Sequence, residues 1–219
     1  MYKFGLSQCW ASFQRWRRTP EEIIDDYDID ALRKRLDAGL GANDKSSGRS
    51  LLFFAITGLK SNKGYGYPVN FDKMAPIICL LLSRGANPNP LGDGIHTLLS
   101  HDAYHQGLVY LAIAYGADFT SYFGTSERTL AAKQECKAGR GRIARYRNMA
   151  IQFEKEGRFD EAARQYTAAV DFAVRYHQEA CNKNPPEPDF IIQAYQGLID
   201  QLNEACRKLP VTQPVNGFH

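Results

Sequence analysis

The sequence predicts an all-α protein built from two helical modules in series. One observation is a helix closed by a glycine turn, which recurs around Gly39, Gly85 and Gly116. A second is the change of pattern after residue 138, where helices rich in alanine and aromatic residues begin. A third is that the helices expected after the first two turns begin at the same distance from the asparagine that ends each turn. A unit that recurs can bury its apolar face against its neighbours, which a single copy cannot do.

Residues 77–89 contain the clearest copy of the repeated unit. Arg84 supplies a basic last turn, and Gly85 can adopt the left-handed conformation that ends a helix. The broad apolar face comprises Ile77, Ile78, Leu80, Leu81 and Leu82. The stretch resembles the second helix and closing turn of an ankyrin repeat, which follow the pattern L-L-x-x-G-A-x-P-N. Further copies of this pattern occupy 31–43 and 108–118.

The helices that would open the following units lie at 48–55 and 94–99, where the ankyrin family has G-x-T-P-L-H-x-A. The interval from Gly39 to Gly85 exceeds the family's period of about 33 residues. We therefore expect an insertion at about 58–72, a stretch rich in Gly, Tyr, Lys and Asn that is typical of a loop.

The resemblance implies a short ankyrin-repeat solenoid over about residues 19–138, with three to four degenerate units. Thr19 and Pro20 are typical of a helix start, and a fourth unit begins near Gly124. We expect residues 1–18, which carry aromatic side chains at helical spacing, to form an amphipathic cap at the end of the solenoid. The alternative for this segment is a basic and aromatic anchor for a membrane or a partner.

A second helical module is predicted at 139–209, after a boundary rich in glycine and arginine. Its first part resembles one tetratricopeptide repeat, and the residues that carry the resemblance are Ala150, Phe153, Gly157, Ala162, Tyr166 and Ala169. A third amphipathic helix spans 190–209, so the module also resembles the three-helix microtubule-interacting and trafficking domain. Both resemblances imply an antiparallel helical bundle, and we expect 210–219 to be a flexible tail.

Composition argues against several classes of protein. The net charge of +3 argues neither for nor against a polyanionic partner. The five cysteines have no C-x-x-C spacing, which argues against a disulfide framework and against a zinc site. No apolar run reaches membrane-spanning length, and a long apolar signal core is missing. We therefore expect a cytoplasmic protein, in the producing cell or, for a secreted effector, in a host cell.

Three groups of residues suggest alternative functions. Cys9 lies in a tetrapeptide that resembles the nucleophile region of papain-like cysteine proteases, but no base can be assigned to it. His101 and His105 lie one helical turn apart, a spacing that can bind zinc, but no third ligand can be assigned. The basic cluster, which contains no acid, consists of Lys137, Arg140, Arg142, Arg145 and Arg147. The alternatives are therefore a cysteine- or metal-dependent hydrolase and a basic-patch binder of anionic membrane or nucleic acid.

Both family resemblances imply binding scaffolds, so the sequence predicts a non-catalytic protein–protein interaction adaptor without cofactor, metal or small-molecule substrate. Modules of this kind in one small chain also resemble host-directed bacterial effectors or their regulators. We expect partner-binding residues in the turns between units and in the insertion. They are Asp44, Lys45, Tyr65, Tyr67, Leu91, Asp93, Tyr122 and Phe123. The expected partner is another protein rather than nucleic acid or an anionic membrane, and the oligomeric state is left open.

Overall fold

The computed structural model describes residues 18–46, 48–58, 71–89, 94–99 and 104–210. Within these ranges all regular secondary structure is helical except for one hairpin of two short strands, so the predicted all-α class is confirmed. Backbone contacts divide the chain into two compact units, Met1–Ala103 and Tyr104–His219.

The described part of the first unit consists of α1 (Pro20–Asp25), α2 (Ile29–Asp37), β1 (Lys45–Ser46), β2 (Arg49–Ser50), α3 (Leu51–Gly58), α4 (Phe71–Ser83) and a 3₁₀ helix (Gly94–Leu99). The described part of the second unit consists of α5 (Gln106–Ala114), α6 (Glu127–Ala138), α7 (Gly141–Lys155), α8 (Phe159–Asn182) and α9 (Asp189–Arg207). None of the described helices is long and apolar enough to cross a membrane.

The first helix begins where its sequence predicts. The Thr19 hydroxyl accepts a hydrogen bond from the backbone N–H of Glu22 at 3.3 Å, and the Glu22 carboxylate accepts one from the Thr19 N–H at 2.6 Å. This reciprocal pair is a capping box, and Pro20 occupies the first turn, where its missing N–H costs nothing. Most of the predicted amphipathic cap at 1–18 lies outside the described residues.

The three glycines of the repeated turn all adopt the left-handed conformation, with φ of 104° at Gly39, 82° at Gly85 and 108° at Gly116. The hydrogen bonds around them are equivalent. After Gly85, for example, the N–H of Ala86 bonds to the carbonyl of Leu81 at 3.0 Å, and the corresponding bonds exist after the other two glycines. The bonds are those of a helix C-terminal capping motif, and they satisfy carbonyls that would otherwise lack a partner.

A short antiparallel hairpin follows the first of these turns. Lys45 pairs with Ser50 and Ser46 with Arg49, and Gly48 in the connection has φ of 80°. The Ser50 hydroxyl then accepts a hydrogen bond from the N–H of Phe53 at 3.1 Å, which starts α3. The hairpin thus occupies one of the predicted turns between units. Most of the predicted insertion at 58–72 lies outside the described residues, although Phe71 and Asp72 already belong to α4.

The contacts of α5 explain where the second compact unit begins. Every residue of this helix after Gln106 is buried except Tyr110, because α6, α7 and α9 pack around it. The Tyr115 hydroxyl, one residue beyond the helix, donates to the backbone carbonyl of Ala194 in α9 at 2.8 Å. A helix that is apolar on all sides needs neighbours on all sides, and α5 finds them among the helices that follow it.

The compact units differ from the modules that the sequence predicts. The predicted modules, 19–138 and 139–209, meet between α6 and α7, whereas the contact-based division falls before α5. The limits of the modules describe sequence similarity, whereas the limits of the compact units describe packing. The module limits therefore stay a prediction.

Three helices of the second unit, α7, α8 and α9, pack in sequence order. Gly157, with φ of 74°, ends the short turn between α7 and α8, and a turn of this length makes consecutive packed helices antiparallel. The bundle core contains the predicted small and aromatic residues Ala150, Ala162, Tyr166 and Ala169 together with Ile191, Ala194, Tyr195, Leu198 and Leu202 of α9. The predicted apolar stripe of the last helix is therefore core.

Candidate functional site

Four of the eight predicted partner-binding residues fall in the described part of the chain: Asp44, Lys45, Tyr122 and Phe123. The other four, Tyr65, Tyr67, Leu91 and Asp93, lie outside the described residues. The described four belong to two turns, one before β1 and one between α5 and α6.

Asp44 stabilises the turn that contains it. One carboxylate oxygen of Asp44 accepts a hydrogen bond from the N–H of Gly41 at 2.8 Å, and the N–H of Asp44 bonds to the Gly41 carbonyl at 2.9 Å. A side chain at Gly41 would collide with this carboxylate, because a Cβ atom there would lie 2.6 Å from Asp44 Oδ1. Lys45 is exposed at the start of β1. Both residues are exposed, and Asp44 differs from Lys45 in being hydrogen-bonded within the turn.

Phe123 is the most exposed large apolar side chain of the described surface, at 98%. It lies in the turn between α5 and α6, which we call the Phe123 turn and define as residues 118–126. The N-terminal half of this turn is well ordered by hydrogen bonds: the Thr120 N–H and hydroxyl both donate to Asp118 Oδ1, at 2.8 and 2.6 Å. Phe119, by contrast, is fully buried and anchors the turn in the core.

The C-terminal half of the Phe123 turn is ordered by a capping hydrogen bond and by close packing. Ser126 is the N-cap of α6, and its hydroxyl accepts a hydrogen bond from the Thr129 N–H at 3.3 Å. A Cβ atom on Gly124 would lie 2.8 Å from both the Thr129 hydroxyl and the Tyr122 ring, so the Tyr122 ring packs directly over this glycine. Tyr122 is half-buried for this reason, which leaves Phe123 as the side chain that the turn presents to solvent.

Cys136 connects α6 to the same turn. Its sulfur lies 3.5 Å from both the Phe119 N–H, which donates to it, and the Ala117 carbonyl, to which the thiol donates. Burial raises the pKa of the Cys136 thiol. A thiol with a raised pKa is a poor nucleophile at neutral pH, so Cys136 supports the turn and has no features of a reactive cysteine. Cys9, the cysteine that the sequence suggests as a nucleophile, lies outside the described residues.

A second notable group surrounds Arg140, whose side chain is almost completely buried, with 6% of the residue exposed. Arg140 forms ion pairs with Glu135 at 3.1 Å and Glu179 at 2.7 Å, and its Nε donates to the Tyr195 hydroxyl at 3.0 Å. The backbone N–H of Arg140 also donates to Glu135 at 3.0 Å. These contacts join the α6–α7 junction to α8 and α9.

Two tyrosine rings complete the environment of Arg140. The guanidinium carbon lies 4.5 Å from the ring centroid of Tyr110 and 4.2 Å from that of Tyr176, within the range of cation–π attraction. Burial by itself would lower the pKa of Arg140, but the neighbouring tyrosine and glutamates more than offset it, and the pKa is raised. Burial also disfavours the charged form of Tyr195, which for this acid raises the pKa. Arg140 therefore stays positively charged, and its role inside the bundle is structural.

A cleft of about 370 Å³ lies over this group. Its charged lining residues pair with one another, Arg140 with Glu179 and Lys183 with Glu187. Because the charges around the cleft are already compensated, the cleft has no free charge with which to attract an ionic ligand. Nor do the described residues contain a group of three or more His, Cys, Asp or Glu side chains arranged to hold a metal ion.

His105 has a structural position in the same region. It is the N-cap of α5, and its Nδ1 accepts a hydrogen bond from the Leu108 N–H at 3.3 Å. Burial lowers the pKa of His105, partly opposed by the negative charge of Glu187. The ring nitrogen that faces the helix is thus occupied in capping. His101, the other member of the suggested zinc pair, lies outside the described residues.

The basic cluster predicted from sequence is divided by the fold. Arg140 is buried as described, and Arg147 donates from Nη2 to the carbonyl of Tyr115 at 3.0 Å, while burial lowers the pKa of Arg147. Lys137, Arg142 and Arg145 are exposed. Sequence reasoning missed a further exposed arginine, Arg175 of α8, which contacts the same phenylalanine ring as Arg142. No signal in the sequence links these two positions, because packing of α7 on α8 brings them together.

Comparison with known proteins assigns no family: no family model matches the chain, and neither a curated protein nor a solved structure is significantly similar to it. Fold and sites define the class as an all-α protein of two compact helical units. The features that bear on function are therefore the Phe123 turn and the charged residues of the second unit.

Proposed function

We propose that the protein is a non-catalytic adaptor that binds another protein through the Phe123 turn. The observation that carries this proposal is the 98% exposure of the Phe123 side chain on a turn held by hydrogen bonds on both sides. Leaving a large aromatic ring in water is unfavourable, and covering it with a partner recovers that free energy. A rigid turn loses little conformational entropy when it binds, so it is well suited to present such an anchor.

In this proposal the predicted module at 19–138 contributes ankyrin-like repeats. The support comes from contacts between the closing turns of the copies at 31–43 and 77–89. The Asn43 amide donates to the carbonyl of Gly85 at 2.9 Å, and its oxygen accepts from the N–H of Asn87 at 2.6 Å. Arg84 and Asp37 also form an ion pair. Stacked repeats of a solenoid are expected to contact their neighbours in this way.

The helical module at 139–209 contributes a tetratricopeptide-like or trafficking-type bundle to the proposed adaptor. Its support is the order of packing, α7 on α8 and α8 on α9, with Gly157 at the first turn. An adaptor of this kind would act in the cytoplasm, either of the producing cell or of a host cell that receives it as an effector. No catalytic group, cofactor or metal enters the proposal.

The experiment that tests the proposal compares partner capture by three forms of the full chain. Wild-type protein, Phe123→Ala and Leu130→Ala would each be immobilised and exposed to the same lysate. Leu130 is a matched control, because it is also an exposed apolar side chain, at 55%, and lies in the adjoining helix α6. We expect a stoichiometric protein partner that wild type and Leu130→Ala retain and that Phe123→Ala loses.

The opposite result is equally clear. If all three forms retain the same proteins in the same amounts, Phe123 is not an anchor and the proposal fails. Circular dichroism of each variant would establish that helix content is unchanged, so a loss of capture could be attributed to the missing ring.

A further inference from the structure

The described part of the second unit carries a basic surface whose arginines form no ion pair with its carboxylates. On α7 it comprises Arg142, Arg145, Tyr146 and Met149, which share one helix face because they follow the spacing i, i+3, i+4 and i+7. On α8 it comprises Phe172 and Arg175. We call these six residues the α7–α8 face.

Phe172 is the centre of the α7–α8 face. The guanidinium carbons of Arg142 and Arg175 each lie 5.4 Å from the centroid of its ring. Tyr146 stacks on the same ring, with centroids 5.7 Å apart and an interplanar angle of 17°. The aromatic pair offsets part of the repulsion between the two cations by cation–π attraction. The pair thereby holds two guanidinium groups beside the same ring. Because each guanidinium carbon is 5.4 Å from the ring centroid, the two carbons are separated by at most twice that distance.

The exposed arginines of this face lie close together without a carboxylate partner among the described residues. Some exposed arginines elsewhere on the described surface have one, as Arg33 has Asp30 at 3.1 Å and Arg158 has Glu156 at 3.1 Å. Within the described ranges, the guanidinium groups of Arg142, Arg145 and Arg175 form no ion pair; the acceptor found for them is the Lys137 carbonyl, which Arg145 contacts. Solvent therefore surrounds these guanidinium groups, and a ligand with two carboxylates would replace that solvent.

We propose that the α7–α8 face binds an acidic segment of a partner protein. Carboxylates of the segment pair with Arg142 and Arg175, and an apolar side chain between them covers Met149, which is 46% exposed. The planar guanidinium group favours bidentate contacts with carboxylates, which fixes the orientation of the segment. This inference depends on the proposed function in one respect, that the ligand is a protein; it uses none of the residues of the Phe123 turn.

The aromatic geometry favours a peptide over nucleic acid. Single-stranded nucleic acid binds by stacking bases on free aromatic faces beside basic groups. Tyr146 already stacks on the Phe172 ring and two guanidinium carbons lie 5.4 Å from its centroid, so a base that stacked there would compete with these contacts. Met149 adds an apolar contact that a sugar–phosphate backbone would not use. Charge complementarity together with this apolar contact matches an acidic peptide that contains an apolar residue.

The test measures binding of a defined probe to the full chain by fluorescence anisotropy. The probe is a short labelled peptide of glutamate and aspartate with a central leucine, and a second peptide with glutamine and asparagine in place of the acids measures non-ionic binding. We expect the acidic peptide to bind and the double variant Arg142→Gln/Arg175→Gln to weaken it by about tenfold. The charge-matched control Arg33→Gln/Arg207→Gln removes two exposed arginines elsewhere and should change the affinity by less than about twofold.

Three results would overturn the inference. They are equal binding of the acidic and neutral peptides, equal weakening by the two double variants, and tighter binding of a single-stranded oligonucleotide or of phosphatidylserine vesicles than of the acidic peptide. Phe123→Ala separates this inference from the proposed function. We expect that variant to bind the acidic peptide as wild type does, whatever its effect on capture from a lysate.

Discussion

The Nε atom of Arg140 donates a hydrogen bond to the Tyr195 hydroxyl at 3.0 Å, although the two residues are 55 positions apart in the chain. The same guanidinium group pairs with Glu135 and Glu179. One buried cation thus holds together three helices and the junction between α6 and α7. A buried charge with this many partners makes the second unit sensitive to the loss of a single side chain.

Arg140→Met should therefore destabilise the protein strongly. Methionine fills much of the space but leaves the buried Tyr195 hydroxyl without its partner and Glu135, at 22% exposure, without its cation. The loss of hydrogen bonds to a charged group costs about 1.5 to 3 kcal/mol. The free energy of unfolding, measured by urea denaturation of the full chain, checks this value. Arg142→Met is the control, because Arg142 is exposed and its loss should cost less than about 1 kcal/mol. Equal stability of the two variants would mean that the contacts of Arg140 are not important for folding.

The two phenylalanines of the Phe123 turn should respond in opposite ways to truncation. Phe119 is fully buried, so Phe119→Ala should lower the free energy of unfolding by about 3 to 5 kcal/mol. Phe123 is 98% exposed, so Phe123→Ala should change it by less than about 0.5 kcal/mol. Thermal or urea denaturation of the two variants makes the comparison. A large loss of stability in Phe123→Ala would show that the ring packs against the protein in solution.

Gly85→Ala should destabilise the first unit through the backbone alone. The φ angle at Gly85 is 82°, and a Cβ atom there would meet nothing within 4 Å, so no steric contact adds to the effect. The left-handed conformation costs a residue with a Cβ about 1 to 2 kcal/mol. Gly85→Asn is the control, because asparagine tolerates this conformation better than alanine and should lose less stability. Equal losses in both variants would argue against a backbone origin.

The stability of the protein should also depend on His105 at mildly acidic pH. Burial lowers the pKa of His105 from its ordinary value of 6.5, with Lys183 acting in the same direction and Glu187 against it. The unfolded chain therefore binds the proton more readily than the folded chain. The contribution of His105 is fully present above about pH 6.5 and decreases as the pH falls toward the lowered value.

The measurement for His105 is the urea midpoint at about pH 7.5 and about pH 5.5. Wild type should lose more stability over this interval than His105→Asn, because asparagine can also cap a helix but does not titrate. Subtracting the change in the variant removes the contribution of other groups, including the carboxylates. If the two proteins lose the same stability, His105 does not cap α5 through a neutral ring nitrogen.

Local patterns in the sequence were sufficient for much of the backbone. The capping residue Thr19, the left-handed glycines at Gly39 and Gly85 and the apolar stripe of α9 follow from short-range rules. These features depend on a few neighbouring residues, each of which favours one conformation. The exposure of Phe123 was also expected, because it lies in a turn between two helices.

The basic cluster shows why the rest could not be predicted. Arg140, Arg142 and Arg147 have the same side chain and lie within two helical turns, yet one forms a buried ion-pair group, one is exposed and one donates to a distant carbonyl. Whether each arginine is buried, exposed or hydrogen-bonded depends on which helices pack against its side of α7. Arg175 joins Arg142 only because α8 packs there.

The sequence by itself determined where helices start and end and which faces are apolar, because caps, glycine turns and periodicity act over one or two turns of chain. The tertiary structure alone decided which charges are buried, which are paired and which remain open to a ligand. The physical reason is that the free energy of a charge depends on its neighbours in space and on its access to water, and both are set by the packing of residues far apart in the chain.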